Sequence, residues 1–364
     1  MKSLNIGDLV ARFPVIQGGM GVGVSLSGLA SAVAEQGGIG VISCAGLGLI
    51  HKELSTNYLE AAVLGLKEEL RKARSKAKGI IGVNVMVAMT NFADMVGTAV
   101  AEQADIIFSG AGLPLDLPSY LPEGSHTKLV PIVSSARAAK VICEKWKMNY
   151  DRLPDAIVVE GPKAGGHLGY KLDEITDPAH SLESILPQVV EQVRFFEQKY
   201  DVSIPVIAAG GIYTGEDIYR IMKLGASGVQ MGSRFVTTAE CDASAEFKQT
   251  YLDASQADVE IIKSPVGMPG RAIASPFMEK VRDGAKQPSS CPFHCIKTCD
   301  ISKSPYCIMI ALYNAYRGNM QGGFAFAGAN AYKAQRIDTV AEAFAELNSG
   351  YDRAEREDRE GILL

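Results

Sequence analysis

The sequence lacks the features that mark several large classes of protein. No stretch reaches the roughly 18 uninterrupted apolar residues of a membrane span. There is no long basic block and the net charge is −5, so a nucleic-acid partner has no support. The one basic cluster, RKARSKAK from Arg71 to Lys78, closes an amphipathic segment and reads as a solvated helix face. The opening MKSLNIGDLVARFP carries Asp8 and Arg12 with no long apolar core after them, unlike a signal peptide. Seven cysteines are an odd number in 364 residues, and Cys44 and Cys143 lie in apolar surroundings. That is the usage of a reducing compartment rather than a disulfide scaffold, and it points to the cytoplasm. The dinucleotide fingerprint G-x-G-x-x-G is also missing: GGMGVGVSLSG, from Gly18, is glycine-rich with the wrong spacing.

What is present centres on DAIVVEGPKAGGHLGY, Asp155 to Tyr170. Ala156 to Val159 is an apolar, β-branched run without polar alternation, the pattern of a strand covered on both faces. It breaks into a loop with Gly161, Gly165, Gly166, Gly169 and, among them, His167. A histidine just past the carboxyl end of a buried strand stands where open α/β sheets and barrels place their chemistry. On the loop alone, a surface histidine in a turn is an equal reading.

Seven further short apolar runs have the same character: Pro14–Gln17, Ile39–Ser43, Ile80–Val85, Asp105–Phe108, Leu129–Val133, Pro205–Ala208 and Gly228–Met231. Helical patterns separate most of them, at 26–36, 60–74, 91–103, 136–147, 182–199 and 216–224. Strands alternating with helices indicate a parallel sheet, and eight units over about 240 residues match a closed (β/α)8 TIM barrel. An open doubly wound sheet is the alternative. After Phe235 the rhythm stops. The expected division is therefore a barrel at 1–240 and a C-terminal helical cap at 241–364. That cap holds a helix at 243–252, a Pro/Gly-rich piece at 264–271, a cysteine-rich segment and a helix from Thr339 to Leu347. The charged end, Asp352 to Glu360, is expected to fray.

Two consecutive strand ends carry glycines: AAGGIYTGED, Ala208 to Asp217, and QMGSRF, Gln230 to Phe235. At the seventh and eighth units of a barrel, such ends bind phosphate through backbone N–H groups and a helix N-terminus. The first strand ends in QGGMGVG, where Met20 and backbone glycines can pack on a planar ring. Asn84, polar in an apolar strand, and Gln230 each need a partner, which a flavin's edge or a buried water would supply.

Taken together, QGGMG at Gln17, GVN at Gly82, EGPKAGGHLG at Glu160, AAGGI at Ala208 and GVQMGSRF at Gly228 resemble the nitronate monooxygenase family. These are FMN-dependent (β/α)8 barrels, also called 2-nitropropane dioxygenases, and flavin enoyl-ACP reductases share their fold and motifs. The resemblance covers roughly residues 12 to 275. It implies that FMN is lined by Met20, Gly21, Asn84, Glu160, Gly165 and Gly166. Its phosphate would lie at Gly210, Gly211, Gly232 and Ser233, with Gln230 and Met231 near the ring. His167 would be the catalytic residue. It would serve as the base for a neutral nitroalkane, cleaved to a carbonyl compound and nitrite, or act on the thioester of an enoyl substrate. NAD(P)H:quinone reduction on the same barrel is a third reading. Two positions depart from the family: Lys163 stands where Glu is frequent, and Gly19 where many members have Pro, which is closer to the enoyl-reductase branch. The implied partners are a small-molecule substrate, with NAD(P)H as a candidate donor and a homodimer as a candidate assembly.

CPFHCIKTCD places Cys291, Cys295 and Cys299 at four-residue spacing, with Cys307 beyond. On one helix face they could ligate zinc or an iron–sulfur cluster. The spacing matches no common pattern, so thiols packed under the cap are the preferred reading and no metal is expected. Two rival classes remain. A flavin-binding protein without turnover is opposed by His167 at the matching position. A barrel with a nucleophilic loop cysteine, of the IMP-dehydrogenase type, is opposed by the absence of a cysteine near the phosphate loops.

Overall fold

The computed structural model describes residues 1–284, 290–291 and 293–362. Eight parallel strands close into a barrel in chain order. They are β1 (Val15–Gln17), β2 (Ile39–Ser43), β3 (Ile80–Asn84), β4 (Ile106–Ser109), β5 (Lys128–Val133), β6 (Ile157–Glu160), β7 (Val206–Ala209) and β8 (Gly228–Met231). Closure is made by β8 on β1, with Val229 opposite Val15 and Met231 opposite Gln17. All eight apolar runs became barrel strands, and the open-sheet alternative falls.

The uniform apolarity of these strands has a direct cause. One set of side chains fills the barrel interior, including Ile16, Val41, Phe108, Val130, Val158 and Ile207. The alternate set, including Val15, Ile42, Val83, Ile107, Val159 and Ala208, packs outward against the helices. Both faces are dry, so neither side of a strand carries a polar alternation. The interior cluster also takes in Leu4, Ile6 and Ala11. These come from an N-terminal antiparallel hairpin, Leu4–Ile6 with Leu9–Ala11, that the sequence reading did not anticipate. It seals the amino ends of the strands and leaves only the carboxyl ends open.

The helices are α1 (Ser27–Glu35), α2 (Tyr58–Lys76), α3 (Phe92–Ala101), α4 (Ala136–Tyr150), α5 (Leu182–Tyr200) and α6 (Gly215–Lys223). Their starts follow local chemistry. The Asn57 side chain accepts from the N–H groups of Leu59 and Glu60 at α2, and Thr214 and Asp217 form a reciprocal capping box at α6.

Beyond β8 come α7 (Ala245–Asp253), β9 (Val259–Lys263), β10 (Pro269–Ile273), α8 (Pro276–Arg282), α9 (Ile308–Tyr316) and α10 (Val340–Arg359). Two expectations for this region are corrected. The tail is not wholly helical, because β9 and β10 form a hairpin whose third strand is Gly166–His167 from the barrel loop. The charged end does not fray: α10 continues to Arg359 because Tyr351 and Ala354 are buried and Asp358 accepts from Tyr219 at 2.6 Å and Lys223 at 2.7 Å on α6. Packed against α6 and α1, this last helix completes the ring outside the barrel.

The cysteine segment is not a helix either. His294 takes a left-handed backbone, φ 43°, and the chain there is pinned to the loop after β3 by Thr90 N–H to the Cys295 carbonyl and Lys297 N–H to the Ala88 carbonyl. All seven cysteines are free thiols. Among the described residues, no group of three or more His, Cys, Asp and Glu side chains is arranged to hold a metal ion. None of the helices among them is long and apolar enough to cross a membrane.

Candidate functional site

A cavity of about 490 Å³ opens at the carboxyl ends of the strands. Every residue nominated from the sequence lines it: Met20, Gly21, Asn84, Glu160, Gly165, Gly166, His167, Gly210, Gly211, Gln230, Met231, Gly232 and Ser233. They come from five different strand ends, so only barrel closure brings them together.

At one end lie the loops after β7 and β8. Gly210 and Gly211 are both left-handed, at φ 96° and φ 82°, a conformation that side chains resist. Among the described residues, the N–H groups of Gly211, Gly232 and Ser233 have no protein acceptor. Ser233 also opens a short helix, Ser233–Val236, and unpaired N–H groups at such a turn suit an anion. Among the described residues the only Lys or Arg lining the cavity, Lys163, stands at this end against Gly211.

The floor is polar and unmatched. The amide ends of Asn84 and Gln230 face the cavity and have no partner among the described residues. The Glu160 carboxyl has no protein donor either, and burial pushes its pKa up to about 7. Polar atoms left unmatched around a cavity are positions for a ligand's own donors and acceptors.

The far wall holds His167. Its backbone pairs with Gly270 and places it on the tail hairpin. Its Nε2 lies 2.7 Å from Ser264 Oγ, and its ring meets Phe326 edge-on at 5.0 Å. Burial lowers its pKa to about 4, so the imidazole is neutral at physiological pH.

The sequence reading missed what the tail contributes. Arg271, buried, donates through Nη1 to the carbonyls of Pro162 and Ala164 at 2.5 and 2.6 Å, holding the loop that leads to His167. Asn330 donates to the Gly211 carbonyl at 2.6 Å, and Gly328 N–H to Ser233 Oγ at 2.9 Å. Gly165 must be glycine: a Cβ there would sit 2.6 Å from the backbone of Ala327 and Gly328. The small-residue run GGFAFAGANA from Gly322 was the available signal, since such runs mark close backbone approach.

Known proteins resemble this chain in sequence and in fold. A family model described as nitronate monooxygenase matches residues 2–350. A probable nitronate monooxygenase of Staphylococcus saprophyticus is 26% identical over 303 residues, covering 76% of this chain and 80% of that protein. The (3aS,4S,5R,7aS)-5-hydroxy-7a-methyl-1-oxo-octahydro-1H-indene-4-carboxyl-CoA dehydrogenase of Mycobacterium tuberculosis is 27% identical over 273 residues, covering 75% of this chain and 66% of that protein. Among solved structures, FabK from Thermotoga maritima superposes with a TM-score of 0.73 at 25% identity, covering 96% of each chain.

Proposed function

The chain belongs to the nitronate monooxygenase family of oxidoreductases, and from that premise we propose that it is an FMN-dependent enzyme that converts alkyl nitronates or nitroalkanes to a carbonyl compound and nitrite. The observation that carries this reading is the sorting of unmatched groups along one cavity. Anion-seeking N–H groups lie at one end, amide and carboxyl edges on the floor, and a neutral imidazole on the far wall. A flavin mononucleotide has a phosphate, a ring with polar edges and a reactive face in that order. When bound, FMN supplies reversible one- and two-electron chemistry.

In this reading Gly210, Gly211, Gly232 and Ser233 hold the phosphate. Met20, Gly21, Gly165 and Gly166 pack along the ring. Asn84, Glu160 and Gln230 meet its polar edge, and Met231 backs it. FMN is favoured over a dinucleotide cofactor because there is one phosphate-binding end and no dinucleotide fingerprint. His167 meets the substrate.

A second reading keeps the cofactor and changes the substrate. The Mycobacterium tuberculosis relative is named for a CoA thioester. NAD(P)H-dependent reduction of an enoyl thioester, or of a quinone, would use the same ring and the same His167. One experiment separates them. The purified holoprotein is mixed anaerobically with NADH, NADPH or ethylnitronate, and bleaching of the flavin is followed. Bleaching by ethylnitronate with carbonyl and nitrite formed on aeration supports the first reading. Bleaching only by a nicotinamide moves the assignment to the second.

A further inference from the structure

We propose that Ser264 is a positioning residue that fixes His167 in the tautomer with its proton on Nδ1, so that the histidine presents a hydrogen-bond donor, not a base, to the cavity. This rests on the reading of His167 as the group that meets the substrate. Ser264 follows β9 directly, at the turn where its N–H bonds to the Met268 carbonyl. His167 pairs with Gly270 on the adjoining strand. The two side chains therefore sit on one three-stranded sheet, and its register sets the 2.7 Å separation of Nε2 and Oγ.

Accounting for the hydroxyl decides the proton. Ser264 Oγ accepts from the Val266 N–H at 3.4 Å. Among the described residues, the only acceptor within reach of its O–H is His167 Nε2. Ser264 is buried, so water is a poor substitute. The hydroxyl then donates to Nε2, which must carry a lone pair. In a neutral imidazole the proton is consequently on Nδ1. Burial of the ring favours that neutral form. Nδ1 has no protein partner and is not one of the sealed, unpartnered polar atoms, so it opens on the cavity that His167 lines. Phe326 packs edge-on against the same ring at 5.0 Å.

An N–H facing the substrate stabilises negative charge on an oxygen. A nitronate brings that charge with it, and a thioester carbonyl develops it. A neutral nitroalkane, which must first lose a carbon-bound proton, finds no free lone pair on His167. On this proposal His167 acts as a donor where the sequence led to the expectation of a base.

The test is the nitrogen NMR spectrum of holoenzyme labelled with ¹⁵N in its imidazoles, with His167 assigned by the signals lost in His167→Asn. The expected result is a protonated Nδ1 and an unprotonated Nε2. Ser264→Ala should lose that preference, and Ser264→Thr, which keeps the hydroxyl, should retain it. In parallel, kcat for ethylnitronate should fall about two- to tenfold in Ser264→Ala, the bias one neutral hydrogen bond supplies, and recover in Ser264→Thr. A protonated Nε2 in the wild type, or an unchanged spectrum in Ser264→Ala, overturns the proposal. If Ser264→Ala does not fold, the wild-type spectrum decides alone. The tautomer is read whatever substrate the enzyme takes, so failure of ethylnitronate to bleach the flavin would refute the nitronate assignment and leave this result standing.

Discussion

Gly211→Asp tests where the phosphate lies. Two effects enter at once, and they can be separated. The first is steric. Gly211 sits at φ 82°, and a Cβ there would come 2.8 Å from Lys163 Cβ, so any side chain strains the loop by about 1–3 kcal/mol. The second is electrostatic. A carboxylate about 4 Å from one unit of phosphate charge, at an effective dielectric of about 20, is repelled by about 4 kcal/mol. That corresponds to about a thousandfold in Kd. Gly211→Ala carries the strain without the charge and serves as the reference. Apoprotein of each variant is titrated with FMN and quenching of flavin fluorescence is followed, with thermal melts to verify folding. Gly211→Asp should bind about a thousandfold more weakly than Gly211→Ala. Equal affinities in the two variants would mean that no phosphate comes near Gly211, and the orientation of FMN proposed above would be wrong.

Three further outcomes are expected. His167→Ala should leave FMN bound while steady-state turnover of ethylnitronate falls about 10²–10³-fold, the usual loss on removing one oxyanion donor; unchanged turnover would make His167 a loop residue. Glu160 has its pKa raised by burial from 4.5 to about 7, so the folded apoprotein gains from its protonation. That stability is fully present below about pH 4.5 and is lost as pH rises through about 7, so urea titrations of Glu160→Gln apoprotein should lack this part of the pH dependence. Arg271→Met leaves the Pro162 and Ala164 carbonyls without their donor and should cost about 2–4 kcal/mol in urea unfolding, with faster proteolysis between residues 160 and 170. A loss below 1 kcal/mol would show that the tail does not hold that loop.

The barrel was legible because its strands are dry on both faces: Ala156 to Val159 and its seven counterparts stand out as apolar runs between helical patterns. The nominated residues were legible because each ends a strand or follows one, and closure carries all strand ends to one rim. What escaped has the opposite character. The plug hairpin is two strands of three residues each, too short to show a period. β9 reads VEIIK, partly exposed, and its partner PGRAI begins with Pro and Gly, so neither resembles a covered strand. Ser264 is one serine in a turn, and nothing local shows that its hydroxyl reaches a histidine 97 positions earlier in the chain. The helix face that the cysteine spacing allowed did not form, for a related reason. A period near four is helical only if the backbone allows it, and His294 in a left-handed conformation does not.

The division of labour within the cavity follows from these two kinds of sequence. The proposed cofactor contacts sit on β-strand ends, which the barrel's hydrogen bonds hold rigidly. The far wall, by contrast, is built jointly: Met268 and Phe326 come from the tail, His167 from a barrel loop recruited into the tail's sheet, and the buried Ser264 contacts His167 Nε2. Changes at Met268 or Phe326 therefore act on the His167 side of the cavity, whereas changes at Gly328 or Asn330 act on the loops after β7 and β8. Its charge points the same way. Burial raises the Glu160 pKa to about 7 and lowers that of His167 to about 4, and among the described residues Lys163 is the remaining cation of the lining. With Lys163 at the phosphate end, the far wall has no full charge to offer, and recognition of an anionic substrate there must come from oriented N–H donors. With the proposed tautomer, a substrate that needs a strong base finds no lone pair on His167 to receive its proton, whereas one that arrives with its negative charge already on oxygen finds a donor at Nδ1.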